Sequence, residues 1–357
     1  MKKVLLAAGG TGGHMFPAQS LAENLKRQGW DIALMTDARG LKHAGEILVE
    51  TKLEIQAASI SPRHPIKAIG GVIKLWRGVR AAKAFIKDWQ PDIVVGFGGY
   101  PAFPAMKAAQ SAGLPTVVHE QNAVLGRVNR VFAAKANAVV SGFNVLEKLP
   151  KGTHWHTLGN PLRANIMNVA SRTYAPPEDK INLLIVGGSL GARLLSETVP
   201  QAVALLPEDL RNRLNVVQQT CKESLEFARD IYDKANVSAH CAPFFDDIET
   251  HLSSAHYVIA RAGASSVSEI AILGLPALFV PLAIAMDDHQ SANCLPLKNL
   301  GAADILPESQ FTPEKLKTIL LERLNDSTWL KDASRAARKA AKPGATKALA
   351  DLVARTV

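Results

Sequence analysis

VLLAAGGTGGHMFP, residues 4–17, decides how this chain begins to fold. Residues 4–8 form a short apolar run closed by glycine, the mark of a strand buried on both faces of a parallel sheet. Beyond the glycines, Leu21, Ala22 and Leu25 keep helical spacing. Pro17 suits the first turn of that helix and Gly29 the residue just past its end. The stretch therefore reads strand, glycine loop, helix. Glycine lets the backbone approach a ligand closely, and a helix start offers N–H groups and the positive end of its dipole. Such a loop invites phosphate. His14 stands where loop meets helix, and that setting favours neutral imidazole, which can act as a base.

The pattern returns half a chain later. INLLIVGGSLGARLL, residues 181–195, repeats strand, glycine pair, hydroxyl residue, glycine and helix. Around these two openings, strand-like runs alternate with helical patterns: DIALMT (31–36), PDIVVGF (91–97), PTVVHE (115–120), NAVVSGF (137–143), LNVVQQ (214–219), HYVIARAG (256–263) and PALFVPL (276–282). The alternation predicts an α/β protein made of two Rossmann-like, doubly wound domains. GNPLR (159–163) marks the junction, ahead of the proline-rich and charged stretch 170–182. The expected domains are 1–162 and 163–343, with a C-terminal helix, 344–357, packing back on the first. Ligands of such domains lie beyond the C-terminal ends of the strands, so the cleft is the expected active site.

Composition narrows the partners. The 357 residues are 47% hydrophobic and 20% charged, enough for two sizeable cores. A net charge of +9 and a pI near 9.4 suggest a polyanionic partner: nucleic acid, an acidic membrane or a phosphorylated substrate. Aromatic residues make up only 6% and no recognition motif is present, so nucleic acid is not expected. No stretch of about 20 apolar residues occurs, so no membrane span is expected. MKKVLLAA imitates a signal peptide, but its apolar run is too short and ends in glycine. Cys221, Cys241 and Cys294 are scattered without a C-x-x-C pair, as in a reducing compartment.

Four strand-end loops carry the chemistry: GGTGGH (9–14), GFGGYP (96–101), GGSLGA (187–192) and RAGASSVSE (261–269). Each can offer backbone N–H groups to phosphate oxygens. The first is not a dinucleotide fingerprint, because Met15 stands where the third glycine is required. Asp37 could imitate the ribose-binding acid of that fingerprint. No P-loop occurs. In the fourth loop, Ala264, Ser265 and Ser266 would open a helix toward a diphosphate. Glu269 could accept both hydroxyls of a ribose, or act as a capping-box-like glutamate. In MDDHQSANC (286–294), Asp288, His289, Gln290 and Asn293 could read sugar hydroxyls, or form a solvated helix start. HEQN (119–122) lacks the second histidine of a zinc motif. It either faces the cleft or knits a buried network that holds its loop. Asp246–Asp247 and Asp287–Asp288 lack ligand-like neighbours, so no metal is expected.

These motifs, with FFDDI (244–248) and GLPALFVPL (274–282), fall in an order that resembles the MurG family of peptidoglycan N-acetylglucosaminyltransferases over nearly the whole chain. The resemblance implies a two-domain GT-B fold. It also implies inverting transfer of N-acetylglucosamine from UDP-N-acetylglucosamine to the 4-hydroxyl of the muramoyl sugar of lipid I, giving lipid II at the inner face of the cytoplasmic membrane. It implies no cofactor and no tightly bound metal. Carried over residue by residue, the donor site would comprise Thr11, Gly12 and Gly13 of the first loop, Asn122 of HEQN, Arg163 of NP-x-R and Ser189 of GGS. To these it adds Phe245 (through its backbone, to uracil), Ala264, Ser265, Ser266, Val267, Ser268 and Glu269 (diphosphate and ribose), and Gln290 (the sugar). His289 departs from the paired glutamines of some members. His14 matches the family's proposed base, and Gly98, Gly99 and Tyr100 are the candidates for the acceptor diphosphate.

Residues 66–87 bear six Lys or Arg and no acid, with Ile69, Val72, Ile73, Leu75, Trp76 and Phe85 among them. In the family an apolar patch with basic surroundings near here touches the membrane, and this composition suits an anionic lipid surface. Gly70–Gly71 should weaken a helix there, and the plainer alternative is an ordinary domain helix with a solvated basic face. Other cell-wall synthesis proteins are further possible partners. Two rival readings stand beside this one: another GT-B enzyme using a UDP-sugar, such as a glycolipid synthase or an epimerase, and a peripheral membrane scaffold that binds nucleotide sugar without turnover.

Overall fold

The structure is a computed structural model that describes residues 1–10, 12–43, 49–55, 65–188 and 192–357. It divides into two compact units, Met1–Arg163 with Lys342–Val357, and Ala164–Ala341. Arg163 closes the first unit instead of opening the second, and the chain rejoins the first unit at Lys342.

The first unit is built on a parallel sheet of β1 (Lys3–Ala7), β2 (Asp31–Thr36), β3 (Thr51–Glu54), β4 (Ile93–Gly96), β5 (Thr116–Glu120), β6 (Ala138–Ser141) and β7 (Trp155–Thr157). Their order is β3-β2-β1-β4-β5-β6-β7. The winding reverses between β1 and β4, which places the segments 8–10 and 97–101 side by side at the strands' C-terminal ends. Alternate residues of β1 feed opposite faces. Val4 and Leu6 pack with Leu21, Leu25, Leu349 and Val353, whereas Leu5 and Ala7 pack with Ala82, Ala105 and Met106. The C-terminal helix Ala345–Thr356 thus completes the core on one face of this sheet.

The second unit repeats the plan. β8 (Ile181–Val186), β9 (Leu214–Gln219), β10 (Ser238–Ala242), β11 (Tyr257–Ala260), β12 (Ala277–Phe279) and β13 (Ala303–Ile305) form a sheet ordered β10-β9-β8-β11-β12-β13. Its reversal lies between β8 and β11, where Val186 is the register partner of Ala260. Leu183, Ile185, Val199, Tyr232, Tyr257 and Leu320 are among its core.

Two local expectations need correcting. The first helix, Gly12–Arg27, begins five residues before Pro17, which sits inside it. As the sixth residue it lies in the second turn, where it forgoes the bond its N–H would have given to the Gly13 carbonyl and its ring crowds that carbonyl. The segment around Gly70–Gly71 is helical, because Pro65–Trp89 is one continuous helix. Gly71 and Gly78 lie on its buried face. A Cβ at Gly78 would fall 2.9 Å from Ile55 and 3.0 Å from Pro104, so glycine there admits close packing.

Candidate functional site

The sequence-expected residues gather in two groups, one on each unit. In the first unit three loops meet. A Cβ on Gly9 would overlap the Pro101 ring at 2.3 Å. One on Gly99 would stand 3.1 Å from the Gly9 carbonyl, and the φ of Gly99 is +75°. Only glycine satisfies both demands at Gly99. A Cβ on Gly98 would stand 3.1 Å from Asn129, which belongs to the HEQN network. Tyr100 is half-buried against the same core. His14 is the third residue of the helix Gly12–Arg27 and is half-buried. Gly12 is buried beside the Phe16 ring, and Gly13 is half-buried. The Arg163 guanidinium lies 4.4 Å from the centre of that ring, so Phe16 brings Arg163 to the helix that carries His14. Thr11 lies outside the described residues.

Asp37 is tied to the phosphate-type loop and does not resemble a ribose reader. Its carboxylate accepts from Gly10 N at 3.3 Å and Gly40 N at 2.9 Å, and pairs with Arg39 at 3.0 Å. Burial opposes its ionisation, but the Gly40 N–H, the Arg39 guanidinium and the Gly10 N–H outweigh it and hold the carboxyl below its ordinary range.

In HEQN, His119 and Glu120 form the buried network. Glu120 accepts from Asn122 N and Nδ2, Gly126 N and Asn129 Nδ2, at 2.8–3.1 Å. Gln121 Nε2, which can only donate, faces His119 Nδ1 at 3.0 Å. The His119 proton therefore sits on Nε2, which donates to the Gly159 carbonyl at 3.3 Å. Burial depresses this imidazole to a pKa of about 4, against the raising effect of the Gly159 bond. Asn160 Nδ2 donates to the Gln121 carbonyl at 3.0 Å, so HEQN and GNPLR are knitted together. Asn122 is half-buried at the end of this network, its amide oriented by Glu120.

On the second unit, Gly187–Gly188 follow β8 and RAGASSVSE follows β11, at the reversal of the sheet. Ser189 lies outside the described residues. The helix Ala264–Leu273 has Gly263 at its N-cap and no acid in its first turn. A helix start of this kind leaves N–H groups for an anion. Ser265, Ser266, Ser268 and Glu269 are half-buried, whereas Ala264 and Val267 are buried. Glu269 is the sixth residue of the helix, and a capping box would need it at the third. Asn293 Nδ2 donates to the Ala262 carbonyl at 3.0 Å and fixes the approach to this helix.

Phe245 is buried, its ring 4.8 Å from that of His251 and 5.5 Å from that of His240. This packing fixes the backbone at 245. Gln219, at the end of β9, couples that segment to the glycine loop. Its Oε1 accepts from Gly187 N at 3.1 Å, and its Nε2 donates to the carbonyls of Gly188 and Pro243 at 3.0 and 3.2 Å. Sequence reading missed Gln219, although a polar pair closing the run LNVVQQ was the visible signal.

Gln290 opens the helix His289–Asn299, and its Oε1 accepts from Leu282 N at 3.0 Å. Its oxygen is thus committed to the backbone, and its amide NH2 is the end left to donate. His289 is half-buried and donates from Nδ1 to the Met286 carbonyl at 2.8 Å. Asp287 and Asp288 take φ values of 57° and 52°, a left-handed conformation that aspartate tolerates better than most residues. Among the described residues no three His, Cys, Asp or Glu side chains cluster as a metal site would need.

Two parallel, doubly wound sheets, each with glycines at its reversal, define an α/β protein of two Rossmann-like domains. Comparison places it further. Residues 4–141 match the glycosyltransferase family 28 N-terminal domain, and residues 182–350 match the glycosyltransferase family 28 C-terminal domain. A Maricaulis maris protein named UDP-N-acetylglucosamine--N-acetylmuramyl-(pentapeptide) pyrophosphoryl-undecaprenol N-acetylglucosamine transferase is 50% identical over 356 residues, 99% of this chain and 97% of its own. A Caulobacter vibrioides protein of the same name is 45% identical, covering 99% of each. The crystal structure of Acinetobacter baumannii MurG superposes with a TM-score of 0.79 at 32% identity, over 99% of this chain and 100% of that one. The chain belongs to the MurG family, within glycosyltransferase family 28, and its fold is GT-B.

Proposed function

We propose that this chain transfers N-acetylglucosamine from UDP-N-acetylglucosamine to the 4-hydroxyl of the muramoyl sugar of lipid I (undecaprenyl-diphospho-N-acetylmuramoyl-pentapeptide). The product is lipid II, for peptidoglycan. The observation that carries this reading is the helix start at Ala264, with Gly263 as its cap, hydroxyls at Ser265 and Ser266 and no acid in its first turn, in a chain of this family.

In this reading the diphosphate rests on that helix start, the ribose on Glu269, the uracil on the backbone of Phe245, and the sugar on Gln290, with Val267 and Ser268 in the same segment. Thr11, Gly12, Gly13, Asn122, Arg163 and Ser189 complete the donor contacts. Gly98, Gly99 and Tyr100 receive the diphosphate of the acceptor. His14 takes the proton of the attacking hydroxyl. As the oxygen bonds to the anomeric carbon, the bond to the diphosphate breaks and its electron pair leaves with UDP, which inverts the configuration. Backbone N–H groups meet the departing charge, so the reading assigns no role to a metal or cofactor. In this reading the second unit binds most of the donor, and the first unit serves the acceptor and supplies the remaining donor contacts.

The membrane face also belongs to this proposal. No described helix is long and apolar enough to cross a membrane. On the helix Pro65–Trp89, Val72, Ile73 and Trp76 are exposed, Trp76 at 61%, and Lys74, Arg77, Arg80, Lys83 and Lys87 are exposed around and beyond them. Exposed apolar side chains beside exposed cations suit a peripheral site on the anionic cytoplasmic face of the inner membrane.

Transfer of labelled N-acetylglucosamine to a short-chain lipid I analogue tests the reading. Wild type should turn over, and His14→Ala should lose about 10²- to 10⁴-fold in kcat while still binding UDP-N-acetylglucosamine. Donor binding without wild-type transfer would shift the assignment to an epimerase or a non-catalytic scaffold. Undiminished turnover by His14→Ala would remove the base.

A further inference from the structure

The loop 280–286 leads directly into Asp287–Gln290, and its tip has little apolar anchorage: Ile284 is 88% and Met286 48% exposed. Polar groups hold it instead. Arg261 is buried just after β11, and its guanidinium Nη1 donates to the Val280 carbonyl at 3.0 Å. Its Nη2 pairs with Glu308 Oε1 at 2.6 Å. The other oxygen of Glu308 accepts from Ala283 N at 2.9 Å. One residue earlier, Leu282 N donates to Gln290 Oε1. The loop backbone is therefore gripped at three points, 280, 282 and 283, and the middle grip engages the Gln290 oxygen and leaves its NH2 as the donating end.

We infer that Glu308, acting through Arg261 and the loop 280–286, is a positioning residue that holds the Gln290 amide with its NH2 directed at the donor sugar. This rests on the reading of Gln290 as the sugar contact. The carboxylate uses both oxygens for this task, one on a guanidinium and one on a loop N–H. It lies beyond β13, far along the chain from the motifs it serves. Loosening the loop leaves the helix start at Ala264 and the Phe245 segment in place, because other residues hold those: Asn293 on Ala262, and Gln219 with the His240 and His251 rings. The consequence is selective. Affinity for UDP should not change, and affinity for UDP-N-acetylglucosamine should fall.

Calorimetric titration of the full chain with UDP and with UDP-N-acetylglucosamine tests this. Glu308→Gln keeps one acceptor oxygen and removes the charge. The double variant Arg261→Met/Glu308→Leu removes both partners, which spares the fold an unpaired buried charge. We expect the ratio of the two affinities to fall about tenfold in the double variant and less in Glu308→Gln, with a raised donor KM and a lesser change in kcat. If the ratio stays at the wild-type value in Glu308→Gln and in the folded double variant, the inference is overturned. Parallel weakening of UDP and UDP-N-acetylglucosamine would also overturn it, by making the pair a support of the whole unit. Gln290→Ala separates the underlying reading: an unchanged ratio there means that Gln290 does not touch the sugar, and the role of Glu308 falls with it.

Discussion

His119 shows how much a single residue can carry. Its place in HEQN allowed either a cleft-facing group or a buried strut, and spacing alone could not choose. Burial and two fixed partners decide for the strut. A consequence follows for acid stability. The unfolded imidazole titrates near 6.5 and the folded one at about 4, so below pH 6.5 the unfolded chain binds the proton first. Stability conferred by the neutral ring is complete above pH 6.5, declines as pH falls toward about 4, and is constant below that. The slope approaches about 1.4 kcal/mol per pH unit within the window. Urea unfolding followed from pH 7 to pH 4 should show this loss in wild type and a shallower one in His119→Gln, which starts less stable at pH 7. Equal slopes would mean that His119 is not the group being titrated. Gly99 makes a second residue-scale case, one that the glycine pattern did reveal. With φ at +75° and the Gly9 carbonyl 3.1 Å from its missing Cβ, Gly99→Ala should cost about 1–2 kcal/mol and depress transfer. Thermal unfolding and a turnover assay on the same preparation would check both effects.

Among the elements, buried strands were legible and edge strands were not. β1, β2, β4, β5, β6, β8, β9, β11 and β12 all arise from the apolar runs expected to form them. β3, β7 and β13 were passed over because TKLE, WHT and ADI are short and partly exposed, and β10 because three of its five residues face solvent. Their pairing comes from the neighbouring strand, which no local pattern records. The continuity of the helix Pro65–Trp89 was harder to read for a related reason. Gly70–Gly71 argued for a weakened helix, yet Gly71 is buried and Gly78 packs closely against Ile55 and Pro104, and such tertiary packing outweighs the propensity cost. That packing turns Val72, Ile73 and Trp76 outward, with the Arg80 guanidinium 5.7 Å from the Trp76 ring. Replacing all three apolar residues by serine should weaken sedimentation with anionic vesicles at least tenfold, while turnover of a short-chain, water-soluble acceptor stays near wild type. A parallel loss of soluble turnover would instead make this face part of the acceptor site. Retained vesicle binding would assign the membrane contact to another surface.

At the scale of the whole molecule, the two units share one winding plan but not one route of chain. The second is continuous, Ala164–Ala341, whereas the first is completed only by the last residues, Lys342–Val357. The repeated strand–glycine–helix opening made the duplication readable. The destination of the terminal helix was readable only in part, since an amphipathic helix declares that it has a buried face and not which surface will cover it. Here Leu349, Ala350 and Val353 are fully buried against the helix Gly12–Arg27 and the face of β1 that carries Val4 and Leu6. The helix that bears His14 is therefore steadied by residues more than 300 positions away. Truncating one large buried side chain in such a place typically costs about 2–5 kcal/mol. Leu349→Ala should accordingly destabilise the first unit and spare the second. Hydrogen exchange should rise across β1, β2 and β4 and remain unchanged across β8, β9 and β11, with UDP binding retained and transfer reduced. Exchange rising equally in both sheets would show that the units unfold as one cooperative body, and the terminal helix would then stabilise the entire chain instead of the half it completes.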